Sequence, residues 1–148
     1  RARACNARLD DCITTILRMH VWNSALERAD LTSIDTPLFG WNYTFQLPAN
    51  YIRVVEVNPI SRFMVEKKNI LSNESSLKLL YVGVPTDINN LDSLLIEAIA
   101  MKLAIEIAET LTSKQGLKAE LMQKYVIALQ EARAANSHDR TPEHRERS

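Results

Sequence analysis

FGWNYTFQLPANYIRVVEV, residues 39–57, is the stretch that decides the fold. Phe39, Trp41, Tyr43, Phe45 and Leu47 alternate with Gly40, Asn42, Thr44 and Gln46. Successive side chains of a strand point to opposite faces, so strict period two predicts a half-buried strand over 39–47. Pro48 lacks an N–H for a ladder and ends it. Tyr51–Val57 predicts a second strand, with Ile52 and Val54 on one face and Tyr51, Val55 and Val57 on the other. Asn58-Pro59 closes that strand. Aromatic rings bury a large area each, so a few of them can fix a small β unit. The expectation is that these rings pack against helices and that Pro48 turns the chain into the next strand.

Working outward, Phe63–Lys67 and Leu77–Val84 predict two further short strands, with turns at Lys68-Asn69 and Ser72–Ser76. Residues 24–36 are open between a continued helix and an edge strand. The prolines at 37, 48, 59 and 85 all fall between the expected strands. Before this region, Cys5, Leu9, Cys12, Ile13, Ile16, Leu17 and His20 form one stripe of a helix over 2–22. After it, residues 91–112 predict a helix that is apolar on most faces, so it is buried on more than one side. Asp87 or Asn90 can cap its start. Gly116 breaks the chain before a last helix over 117–135, which folds back antiparallel on its predecessor.

The predicted fold class is therefore α+β: an antiparallel helical bundle with a small antiparallel β insertion and an extended C-terminal tail. The insertion covers about 38–84, within a single domain 1–136. Residues 137–148, SHDRTPEHRERS, carry no large apolar side chain to offset the entropy of ordering. They form an extended arm that orders on a partner.

The chain has 148 residues, a length that suits one domain with a core of its own. Eighteen basic and eighteen acidic side chains give zero formal net charge, with no basic stripe of the kind a dedicated nucleic-acid binder carries. Cys5 and Cys12 lie two helical turns apart, too far for a disulfide. Two unbridged thiols fit a reducing compartment. The apolar run 94–111 is broken by Glu97, Lys102, Glu106 and Glu109, so no membrane span is expected. Residue 1 is Arg and the helical pattern already runs there, so the expectation is a start lying further upstream.

Candidate chemistry is sparse. His20 sits on an apolar helix face, where it serves as a satisfied boundary residue. His138 and His144 lie at the end of the chain. No Cys or His pair has zinc spacing, and no phosphate loop, dinucleotide fingerprint or nucleophile elbow occurs. Asp10 and Asp11 diverge on their helix, and Glu97 and Glu106 lie on opposite sides of theirs. No catalytic, cofactor-binding or metal residue is assigned, and the chain is not expected to be an enzyme.

Four ordered segments carry a resemblance. They are WNSALERADL from 22, the stretch from 39, YVGVPTDINNLDSLLIEAIAMKLAIEIAETLT from 81, and LMQKYVIALQEARAANSHD from 121. Their order and spacing resemble the head-to-tail adaptor proteins of tailed bacteriophages, of the tail tubular protein A type. That family has a W-N-x-A segment before an aromatic strand ending in L-P, then an Ile- or Leu-Arg-Val strand. A Tyr-to-Asp segment follows and leads into an alanine-rich helix pair. The matching positions are Trp22, Asn23, Ala25, Leu47, Pro48, Ile52, Arg53, Val54, Tyr81, Asp87, Ala98, Leu103 and Ala104.

The resemblance implies a structural protein of the virion head-tail junction, assembled in the bacterial cytoplasm. Its subunits would form a ring, commonly dodecameric, between the portal protein and the tail nozzle or tail tube. The ring would continue the DNA channel without sequence-specific contact to the genome, without a cofactor and without a membrane. On that reading the arm, with His138, Arg140, Glu143, Arg145 and Arg147, is the candidate portal contact. Lys67, Lys68 and Asn69 at a β tip are the candidate tail-side surface, and Trp41 is the candidate subunit contact. The alternative from another class is a small DNA-binding accessory protein or packaging regulator. It would need a basic recognition helix, whereas the last helix mixes Lys118, Lys124 and Arg133 with Glu120 and Glu131.

Overall fold

The computed structural model describes residues 2–111 and 115–139. They fall into two compact units: Ala25–Val84, and the segments before and after it.

The second of these is helical. It contains α1 (Ala2–Met19), α2 (Ser93–Leu111) and α3 (Gln115–His138). On α1 the buried residues Cys12, Ile13, Ile16 and Leu17 follow the 3.6 period expected of one face. Lys102 lies 5.8 Å from the Tyr125 ring and Lys118 Nζ lies 2.6 Å from Glu109. Those pairs run in opposite chain directions, so α2 and α3 are antiparallel, as the short connection predicts. Asp92, not Asp87 or Asn90, caps α2: its Oδ2 accepts the Leu94 N–H at 3.0 Å. Asp87 instead caps a short 3-10 turn, Ile88–Asn90. Gly116 lies inside the first turn of α3 rather than between helices.

The WN segment ties this unit together. Trp22 is buried and donates Nε1–H to the Ile16 carbonyl at 2.9 Å. The Asn136 Oδ1 on α3 accepts the Asn23 N–H at 2.7 Å, and its Nδ2 donates to the Val21 carbonyl at 2.9 Å. Ser24 Oγ accepts the Asp92 N–H at the head of α2. Each bond satisfies a backbone group that a helix end or chain turn would otherwise leave open.

The unit Ala25–Val84 overturns the expectation of a helical bundle with a small β insertion. It holds seven strands in two antiparallel sheets: β1 (Leu26–Leu31), β2 (Ser33–Asp35), β3 (Tyr43–Gln46), β4 (Tyr51–Asn58), β5 (Phe63–Glu66), β6 (Asn69–Ser72) and β7 (Leu77–Gly83). One sheet has the order β1-β7-β4 and the other β2-β3-β6-β5. They share a core of Leu31, Phe45, Leu47, Val57, Ile70, Leu77, Leu79 and Tyr81. With its own two-sheet core, this is half of the architecture and not an appendage to a bundle.

Three local effects explain the miss. β1 is an edge strand whose inward positions include only Ala29 and Leu31, so Glu27, Arg28 and Asp30 mask its period. β6 is central and buried on both faces, so Ile70 and Leu71 are adjacent instead of alternating. The aromatic strand is shorter than its alternation suggests. Gly40 has φ +88°, in the left-handed region that only glycine enters cheaply, and the extended run begins at Tyr43. Phe39 and Trp41 therefore belong to a loop. Phe45 remains in the core between the sheets.

Candidate functional site

The loop that contains Gly40 borders a groove on the β unit. Residues 36–42 leave β2, lie over the outward face of the β2-β3-β6-β5 sheet and return into β3. One end of the loop is fastened to another segment, at Asn73. Asp35 Oδ1 accepts the Thr36 N–H at 2.7 Å, and Asn73 Oδ1 accepts the Asn42 N–H at 3.0 Å. Between loop and sheet runs a groove of about 540 Å³, lined by Leu38, Phe39 and Trp41 from the loop and Thr44, Met64 and Leu71 from the sheet. Leu38 is 100% exposed and Phe39 87% exposed. The Arg62 guanidinium sits 5.7 Å from the centre of the Trp41 ring, within cation–π range.

The groove brings together sequence-predicted residues that were assigned to different surfaces. Trp41, Lys67 and Asn69 all line it. Trp41 is half-buried there. Lys67 stands in the two-residue turn between β5 and β6 with φ 57°. Asn69 opens β6 opposite Gln46 and Glu66. Lys68 is exposed in the same turn, and its carbonyl accepts the Leu47 N–H at 3.1 Å. His138 is the exposed last residue of α3, in the other unit. The arm as expected began at 137; Ser137 and His138 are instead helical. Arg140, Glu143, Arg145 and Arg147 lie outside the described residues.

Sequence reasoning found β5 as the strand Phe63–Lys67 but missed its exposure, and it missed that Leu38 and Phe39 face outward. The available signal was the run Phe63-Met64-Val65, which has no polar alternate and so no face suited to water. Leu117, Met122, Val126 and Ile127 on α3 are also exposed. Large exposed apolar side chains in clusters mark places where another molecule sits.

Two polar clusters lie inside the units. Tyr81 donates its hydroxyl proton to Asn50 Oδ1 at 2.9 Å, and Asn50 Nδ2 donates to Glu27 Oε2 and to the Val84 carbonyl. Burial, and next the Glu27 carboxylate, raise the Tyr81 pKa. This cluster pins the Pro48–Asn50 corner to the end of β7, where Asn50 O also accepts the Val84 N–H. In the helical unit, Cys12 is fully buried, and its thiol points at Glu106 Oε2, 3.4 Å away. Burial foremost, then the bond to Glu106, push the thiol up to about 11. A thiol so far from its thiolate is a poor nucleophile at neutral pH. Among the described residues no group of three or more His, Cys, Asp or Glu is placed to hold a metal. No described helix is long and apolar enough to cross a membrane.

No protein-family model matches the chain, and no curated protein matches it. The resemblance to phage adaptors thus rests on the residues that carry it. The groove and its rim offer apolar area, an indole face, the cations Lys67 and Arg62 and the carboxylates Asp35 and Glu66.

Proposed function

We propose that the chain is the head-to-tail adaptor subunit of a tailed phage. It joins neighbours into a ring between the portal and the tail nozzle or tube, and genomic DNA passes through without specific contact. The observation that carries this reading is the ordered set of adaptor-like segments, and the places those residues occupy support it. Trp22 and Asn23 fasten the helical unit, Leu47 and Pro48 form the corner that Asn50 pins, and Tyr81 closes the same corner. Residues that hold a frame together are those a family's pattern retains for physical reasons. The exposed Leu38 and Phe39 add a second support, because a ring subunit presents apolar surface to its neighbours.

The test is co-sedimentation of the full chain with rings of the portal protein from the same virion, followed by imaging of the pellet. The expected result is an added ring on one end of the portal. The variant Leu38→Ser/Phe39→Ser should fold normally and fail to close that ring. A folded wild-type chain that leaves the portal bare overturns the reading.

A further inference from the structure

A sheet edge exposes a row of unpaired N–H and C=O groups, and proteins blunt such edges to prevent pairing with other chains. The two sheets of this β unit have four edges. β1 carries Glu27, Arg28 and Asp30 along its length. β4 is interrupted by two register shifts, between Tyr51 and Arg53 and between Val54 and Glu56. β2 has only three residues and a register shift of its own. β5 is also short, but it pairs without a register shift and its one charge, Glu66, stands at its end. It is the outer strand of its sheet, and all four of its residues are exposed.

Burial drops sharply from β6 to β5 across the same register. Leu71 is 6% exposed and its partner Met64 is 50% exposed; Ile70 is 0% exposed and its partner Val65 is 36% exposed. Neither face of β5 joins the core that the two sheets share. Among the described residues the strand therefore has no edge partner, and its side chains are covered only where Met64 and Glu66 line the groove.

The sequence of this edge is complementary to itself. Residues 62–66 read Arg-Phe-Met-Val-Glu. In an antiparallel pair, opposed residues share a face and share the direction of their backbone bonds. Two copies of one strand must then pair even positions with even and odd with odd. The register with Met64 opposite Met64 satisfies that condition. It sets Phe63 against Val65 twice on one face, and Arg62 against Glu66 twice on the other. An aromatic against a β-branched residue and a cation against a carboxylate are favourable cross-strand pairs. Arg62 is already held at this edge by the face of Trp41.

We propose that β5 pairs antiparallel with β5 of a second copy of this chain, about a twofold axis at Met64, and joins the two four-stranded sheets into one of eight. The contact goes beyond the adaptor reading. Ring neighbours meet through two different surfaces, whereas this contact uses one surface twice. It describes the protein free of its ring, and it stands or falls independently of portal binding.

Charge reversal tests it, with sedimentation velocity of the full chain as the readout. Wild type should pass from one copy to two as concentration rises to about 500 µM, a range that covers weak but specific contacts. Arg62→Glu sets carboxylate against carboxylate twice, and Glu66→Arg sets guanidinium against guanidinium twice. Each should keep the wild-type circular dichroism, since both positions are exposed, and weaken the dimer by roughly 30-fold. An equimolar mixture of the two variants restores both opposite-charge pairs and should form a heterodimer near wild-type affinity. The double variant Arg62→Glu/Glu66→Arg should self-pair as wild type does. A wild type that stays monomeric throughout, single variants that dimerise unchanged, or a mixture that fails to associate would each overturn the proposal.

Discussion

Asn50→Ala should be the most damaging polar substitution in the β unit. The side chain makes three hydrogen bonds: it accepts from Tyr81 and donates to the Val84 carbonyl and to the Glu27 carboxylate. A neutral bond contributes about 1 kcal/mol net, and one to a charged group about 1.5–3 kcal/mol. The full loss sums to about 4 kcal/mol, and partial exposure of the cluster lowers it to about 3 kcal/mol. With a urea slope of about 2 kcal/mol/M, the unfolding midpoint should fall by about 1.5 M. In tryptophan fluorescence Trp41 reports on this unit and Trp22 on the helical one. Tyr81→Phe removes only the shared hydroxyl bond and should cost about 1 kcal/mol. The double variant should cost less than the two single effects added, by about 1 kcal/mol, because both remove the same bond. A midpoint shift below about 0.5 M for Asn50→Ala, or strict additivity with Tyr81→Phe, refutes the claim that this cluster holds the corner.

Gly83→Ala should destabilise the same unit by about 1–3 kcal/mol, because the added Cβ would lie 2.8 Å from Tyr81 Cε2 and 2.9 Å from Asn50 Nδ2 and would collide with Glu27. Urea titration checks it, and an unchanged midpoint counts against the geometry. Lys67→Gly should raise stability by about 0.5–1 kcal/mol, since Lys67 has φ 57° and glycine removes the left-handed strain at some cost in chain entropy; a lower melting temperature would contradict this. Cys12 makes the protein sensitive to alkali. Its pKa is raised from 9.0 to about 11, so its contribution is complete below pH 9 and is lost as pH rises toward 11. That loss amounts to about 2–3 kcal/mol. Tyr81, also raised, acts in the same direction above its ordinary range near pH 10. Cys12→Ala should flatten the fall in stability between pH 9 and 11, and an identical pH profile for variant and wild type would exclude the thiol as the cause.

Much of the helical unit was legible because its signals are local. The stripe on α1, the long apolar run of α2 and the antiparallel return of α3 depend on neighbours three or four residues away. The strands from Tyr51 and from Leu77 were legible for the same reason, with prolines marking their ends. Strands β1 and β6 were hidden because their visibility depends on position in the sheet. An edge strand shows charges toward water, and a central strand loses its alternation when both faces are covered. Position in a sheet is set by pairing with residues far along the chain, such as Leu26 with Val82 and Thr44 with Leu71.

The candidate surface divides in the same way. The sequence by itself singled out Trp41, Lys67 and Asn69, and its periodicity marked the three helices and the strands at Tyr43, Tyr51, Phe63 and Leu77. It did not determine that Gly40 ends the aromatic strand and turns Phe39 and Leu38 outward, or that Trp41 and the β5–β6 turn line one groove. Those facts depend on tertiary structure because a side chain's exposure is a property of what other elements cover. Covering is non-local: β5 has much the same apolar composition as a core strand, and its place at the outside of its sheet, with no neighbour beyond it among the described residues, makes it a surface.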